Sequence, residues 1–249
     1  MSWWELLLGA LGSLVAGTLG SAIGLVLGTL RLPLILLLAG DPASAAGTNI
    51  AISTASAASG SLGHARAGRV SWRVVAWMAP PSIAGAVVGG LFGHAAPRAA
   101  LLGIAAAILA YNGADLLVRP FGARPRTRLR VTPALAGGLG IGLLGGAVGV
   151  ILGTLRMPVL LRGVGLTAAQ AVGTNLVVGF ALGTFGFAAH AIRGETNWEL
   201  LAAAVPAALA GGFLGARITG HLSERVLRRA IAVALLVIAA ALAVEATLG

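Results

Sequence analysis

Cysteine and lysine are absent from this 249-residue chain, tyrosine occurs once, and only 7 residues are acidic. Without cysteine there is no disulfide and no thiolate metal site. No apolar segment holds paired carboxylates, and neither an HExxH, a GxGD nor a Ser/His/Asp spacing occurs. Intramembrane catalysis therefore has no visible residue set, so the chain is expected not to be an enzyme, with no catalytic residue, no bound metal and no other cofactor. Charge is also scarce, at 10% of residues against 58% hydrophobic ones, and the mean hydropathy of +0.96 excludes a water-soluble globule.

What is present is apolar sequence in long runs, near residues 4–30, 44–63, 74–94, 99–118, 133–155, 168–190, 198–218 and 226–248. Since about 20 residues cross the bilayer core, eight long spans are expected. Two shorter apolar pieces, Leu32 to Ala39 and Met157 to Leu161, follow a proline and read as half-helices or re-entrant elements. The 38 glycines suit closely packed helices, and such faces would also serve a homodimer. Trp3 and Trp4 are expected to anchor at an interface, and the N-terminus, lacking a basic flank, reads as retained. All 17 basic residues are arginines, giving a net charge of +10. In this setting they set topology rather than bind nucleic acid. Arg119, Arg124, Arg126, Arg128 and Arg130 fall in the one long polar linker, which is expected to be cytoplasmic.

The chain repeats itself. GTLRLP at Gly28 to Pro33 returns 125 residues later as GTLRMP at Gly153 to Pro158, and Gly47-Thr48-Asn49 returns as Gly173-Thr174-Asn175. His64 matches His190, Trp72 matches Trp198, and Gly85 and Gly89 match Gly211 and Gly215. The offset grows by one between the proline and the Gly-Thr-Asn, which places an insertion in that loop. Residues 1–118 thus form a first repeat, 119–131 the linker and 132–249 a second repeat. Basic residues do not follow this register: Arg66, Arg69 and Arg73 face the neutral Arg193/Glu195 loop, while Arg217, Arg225, Arg228 and Arg229 gather one loop later. Every basic cluster is cytoplasmic only if the repeat is inverted, with both termini outside. The expected fold is all-α and polytopic, two inverted halves each with four long transmembrane helices plus one short broken or re-entrant element.

Arg31 and Arg156 are the arginines retained at matched positions while their surroundings diverged. On length alone, a helix from Trp3 to Leu30, about 42 Å long, would let Arg31 snorkel at the far interface. An arginine in hydrocarbon costs roughly 2.5–3.5 kcal/mol, and no carboxylate stands at a matched position, so a ligand anion is the expected partner. Thr29 and Thr154 add hydroxyls. The Gly-Thr-Asn turns read as helix N-termini, with Thr48, Asn49, Thr174 and Asn175 as caps whose N–H groups also suit an anion. The glycine rows GSAIGLVLG and GGAVGVILG, spaced by four, read as packing faces. His64 and His190 border loops as interfacial histidines, and Asp41, in Gly40-Asp41-Pro42, reads as a turn residue. His190 and Asp41 are the candidates for proton coupling, the alternative to movement of an anion down its own gradient.

Taken together, the duplicated order of a glycine-rich helix, a small-residue turn with proline, and Gly-Thr-Asn about 15 residues on resembles the sulfite exporter TauE/SafE family of bacterial membrane transporters. The resemblance spans nearly the whole chain. It implies a multi-pass protein of the bacterial cytoplasmic membrane that exports sulfite, sulfoacetate or a related sulfur-containing anion through a site between the repeats. Arg31 and Arg156 depart from the usual pattern toward stronger anion binding, because a guanidinium fork fits sulfonate oxygens. The alternatives are an anion channel and a non-transporting membrane scaffold, which lipid-facing arginines would favour.

Overall fold

The computed structural model describes residues 1–25, 28–92, 97–118, 129–148 and 153–248. Among them every regular element is a helix: α1 (Trp3–Ile23), α2 (Gly28–Ala39), α3 (Pro42–Arg66), α4 (Trp72–Phe92), α5 (Arg98–Val118), α6 (Val131–Val148), α7 (Gly153–Pro158), α8 (Ala168–Ile192), α9 (Trp198–His221) and α10 (Glu224–Leu248). A π-helical stretch, Val159–Val164, continues α7. The expected linker, apart from its last residues, lies outside the described residues.

Six of these helices are long and apolar enough to cross a membrane: α1, α4, α5, α8, α9 and α10. Eight long spans are expected, and six helices meet both conditions among the described residues. The helix α3 has the length, at 25 residues, but its serines and threonines dilute its hydropathy, and α6 is short. The protein is a multi-pass membrane protein, and its exposed side chains fit that. Along α1, Leu7, Leu11, Val15 and Leu19 face outward while Gly9, Ser13, Gly17 and Gly20 are buried. Small residues inside and large apolar ones outside is the arrangement that lipid favours, since close backbone packing rather than water exclusion joins the helices.

The single helix expected from Trp3 to Leu30 does not form. At the start of α1 the Ser2 N–H donates to the Glu5 carboxylate at 2.7 Å, and Gly24 ends the helix in the left-handed region (φ 71°), its N–H donating to the Gly20 carbonyl. The row Gly20, Gly24, Gly28 is therefore split over two elements instead of lying on one helix face. The short elements match in length: α2 has 12 residues, and α7 with its π-helical continuation has 6 and 6. Glycines of positive φ follow both, Gly40 (83°) and Gly165 (94°). The inserted residue sits just beyond, where Gly40-Asp41 is answered by Gly165-Leu166-Thr167.

The helices group into two compact units, Met1–Val70 with Val172–His221, and Ser71–Ala171 with Leu222–Gly249. In the first, α1 packs along α9, α9 against α3, and α2 against α3. In the second, α4 packs along α6 and α10 against α5. Each unit thus mixes the two repeats, and the same contact recurs in both. A Cβ on Gly211 or Gly215 would meet the carbonyls of Leu14 and Thr18; one on Gly85 or Gly89 would meet those of Leu139 and Leu143. Those partners stand one repeat apart. Backbone at such short range leaves no room for a side chain, and overpacking costs about 1–3 kcal/mol.

Within the first unit, α3 and α8 also meet reciprocally. Gly47 near the start of α3 packs against His190 and the Glu195 carbonyl beyond the end of α8, and Gly173 near the start of α8 packs against His64 and the Arg69 carbonyl beyond the end of α3. The two equivalent helices therefore run antiparallel.

Candidate functional site

Arg31 lies in the first turn of α2, just past the break after Gly24, and is 5% exposed. Its guanidinium is gripped by α3. Nε donates to Asn49 Oδ1 at 3.0 Å; Nη2 donates to Asn49 Oδ1 at 2.8 Å, to the Asn49 carbonyl at 2.9 Å and to Ser53 Oγ at 2.8 Å. Asn49 is locked in turn, because its Nδ2 donates to the Gly28 carbonyl at 2.9 Å. That carbonyl opens α2, so one asparagine fixes both the backbone and the charge of the short helix. All of Arg31's acceptors are neutral. Among the described residues no carboxylate reaches it, so its positive charge is held but not cancelled. Arg162 of the second unit is the contrast, since it pairs with Asp115.

Arg31 lines a cavity with Gly17, Gly20, Ser21, Leu25, Gly28, Ser53, Ser56 and, from the second repeat, Leu176. The space between these walls has room for about one water. Ser21 is buried, and its hydroxyl has no hydrogen-bond partner among the described residues. A buried unsatisfied hydroxyl costs free energy unless something polar meets it, so cation and hydroxyl together suit a small oxyanion. Ser21, Ser53 and Ser56 escape the sequence reading. For Ser53 and Ser56 the signal is the run Asn49, Ser53, Ser56, Gly60, one polar or small face of α3 at helical spacing.

The Gly-Thr-Asn segments are not helix N-termini. Asp41 and Pro42 start α3 earlier, Asp41 Oδ1 accepting from the Ser44 N–H at 2.9 Å, so Thr48 and Asn49 fall within the helix. The second copy falls within α8. Their backbone donors serve the helix and their side chains do the work instead. Thr48 Oγ1 accepts from the Asn197 N–H at 2.8 Å, and Asn175 Nδ2 donates to the Gly24 carbonyl at 2.7 Å, holding the broken end of α1. Thr174 is fully buried.

Arg31, Thr48, Asn49, Thr174 and Asn175 all belong to the first unit. Arg156 and Thr154 belong to the second unit, on α7, and are buried there. Thr29 lies on α2, but its side chain falls outside the described residues. Asp41 is exposed and capping, and the hydrogen bonds from Ser44 hold its carboxyl below the usual range. His190 Nδ1 lies 2.6 Å from Glu195 Oε2 at the end of α8. Its counterpart His64 is fully buried, and its Nε2 donates to the Ser21 carbonyl at 3.2 Å.

A multi-pass bundle of broken helices, built from two copies of one unit and holding a buried uncancelled arginine, has the make-up of a membrane transporter. The model of one family, described as sulfite exporter TauE/SafE, matches residues 9–242. The chain belongs to that family. It is also similar to the probable membrane transporter protein YunE of Bacillus subtilis (strain 168), 30% identical over 105 residues, which is 42% of this chain and 38% of that protein. The chain thus spans well under half the length of that relative. No solved structure matches it.

Proposed function

We propose that the protein exports a small sulfur-containing anion, sulfite or an organosulfonate such as sulfoacetate, across the bacterial cytoplasmic membrane, with the Arg31 cavity as a binding position. The observation that carries this reading is the guanidinium at the cavity wall with neutral acceptors only, beside the unsatisfied Ser21 hydroxyl. An anion there supplies the missing charge. Arg156, the repeat counterpart, is proposed as a second anion-suited position. Burial of both arginines argues against lipid-facing snorkelling and with it against the scaffold reading.

Flux into vesicles containing the purified protein tests this. Sulfite and sulfoacetate are expected to cross faster than sulfate and much faster than taurine; equal rates for all four, or none above empty vesicles, would contradict it.

The halves are proposed to be inverted, with both termini outside. The antiparallel run of α3 and α8 supports this, as does the switch of basic loops between repeats. On this cysteine-free background, Ser71→Cys and Ser223→Cys are both expected to react only with a reagent applied from the cytoplasmic side. Labelling of Ser223→Cys from outside alone, with Ser71→Cys labelled from inside, would rule the inversion out.

A further inference from the structure

The repeat places a histidine and a partner five residues on at the same point of the fold twice, but with opposite charge beside it. After α3 the pair is His64 and Arg69; after α8 it is His190 and Glu195. In the first copy the imidazole is sealed in and bonded to the Ser21 carbonyl, while Arg69 turns its Nη2 to the Ala216 carbonyl at 2.7 Å. That copy is a brace. In the second copy the imidazole is 23% exposed and faces a carboxylate at 2.6 Å. A carboxylate only accepts, so Nδ1–H donates to it and Nε2 is left as the basic nitrogen.

We propose that His190 and Glu195 form a proton-binding site linked to Arg31, a deepening that rests on the anion reading above. A proton taken up at Nε2 turns the hydrogen bond to Glu195 into an ion pair, with no bond broken elsewhere. The link runs through contacts of the first unit. His190 and the Glu195 carbonyl pack directly on Gly47; two residues past Glu195, the Asn197 N–H donates to Thr48 Oγ1; the next residue of α3, Asn49, holds Arg31 by both Nε and Nη2. Any shift of the loop that follows α8 is therefore delivered to the residue gripping the anion-binding cation. The sign follows from charge: the protonated pair carries one more positive charge, so protonation and anion binding favour each other.

Other ionisable groups at this end of the unit have their own engagements or lie in the open. The Met1 ammonium pairs with Glu199 at 3.0 Å, Glu5 accepts from the Ser2 N–H, Asp41 caps α3, and Arg193 is exposed in the same loop. Glycine is required at position 47, because any Cβ there would strike the Glu195 carbonyl. This makes the contact between the loop and α3 a rigid one.

The test uses protein labelled with ¹⁵N-arginine, without any anion, so that it stands apart from the anion reading. The Arg31 Nε–H resonance, assigned by its loss in Arg31→Lys, is expected to move as pH is taken from about 8 to about 5. In His190→Gln that movement should vanish, and in Glu195→Gln the profile should be displaced along the pH axis. Glu195→Gln keeps the backbone carbonyl on Gly47, so it carries the test even where His190→Gln fails to fold. A resonance that does not move in the native protein, or that moves along the same profile in the variant, overturns the linkage. Failure of sulfoacetate to bind would instead sink the anion reading alone.

Discussion

Arg31→Gln is expected to lower the affinity for sulfoacetate at least about thirtyfold, because removing one partner of a buried charge pair costs about 2–5 kcal/mol. Glutamine keeps a polar side chain, though a shorter one, and brings no charge to the cavity. Arg31→Lys should recover only part of the loss. Three of the four hydrogen bonds of Arg31 end on Asn49, and two of them share Oδ1 in the manner of a planar fork. An ammonium reaches the cavity as a point charge and cannot hold that geometry. Equilibrium binding to the purified variants measures both effects, and unchanged affinity in the glutamine variant would remove Arg31 from the site.

Asn49→Leu should strongly destabilise the first unit. It removes the Oδ1 acceptor from a buried cation and the donor from the Gly28 carbonyl at the start of α2. Hydrogen bonds to charged groups contribute about 1.5–3 kcal/mol each, so a loss of about 3 kcal/mol or more is expected, read as a lower midpoint in a thermal or denaturant series. The double variant Arg31→Met, Asn49→Leu should regain most of that stability. Replacing both members of a buried polar pair by apolar ones of similar volume is often neutral, whereas removing one strands the other. Binding, however, should stay lost. A double variant as unstable as Asn49→Leu would mean that Asn49 acts chiefly through the Gly28 carbonyl.

The duplication, the short element after each small-residue turn, and the family were legible because each rests on residues that recur in fixed order. The start of α3 was not: in the sequence Asp41-Pro42 reads as a turn and the Gly-Thr-Asn segments as helix starts. Two helix-start signals lay six residues apart, and the earlier pair, with a side-chain cap and a proline, prevailed. The break at Gly24 was hidden by an unbroken apolar run, since a glycine in such a run gives no sign of its φ. The pairing of α1 with α9 and of α4 with α6 was out of reach as well. Glycine rows announce close packing but not the partner, and here each row takes its partner from the other repeat. The serines of the cavity read as helix-face residues until Arg31 is seen among them.

Equilibrium binding of labelled sulfoacetate to the purified protein and to the folded Arg31→Met, Asn49→Leu variant tests the central claim most directly. Saturable binding to the native protein that sulfite displaces and taurine does not, absent from the variant, is the expected result. Undiminished binding to the variant would contradict it, for the ligand would then be held without the cation that lines the cavity.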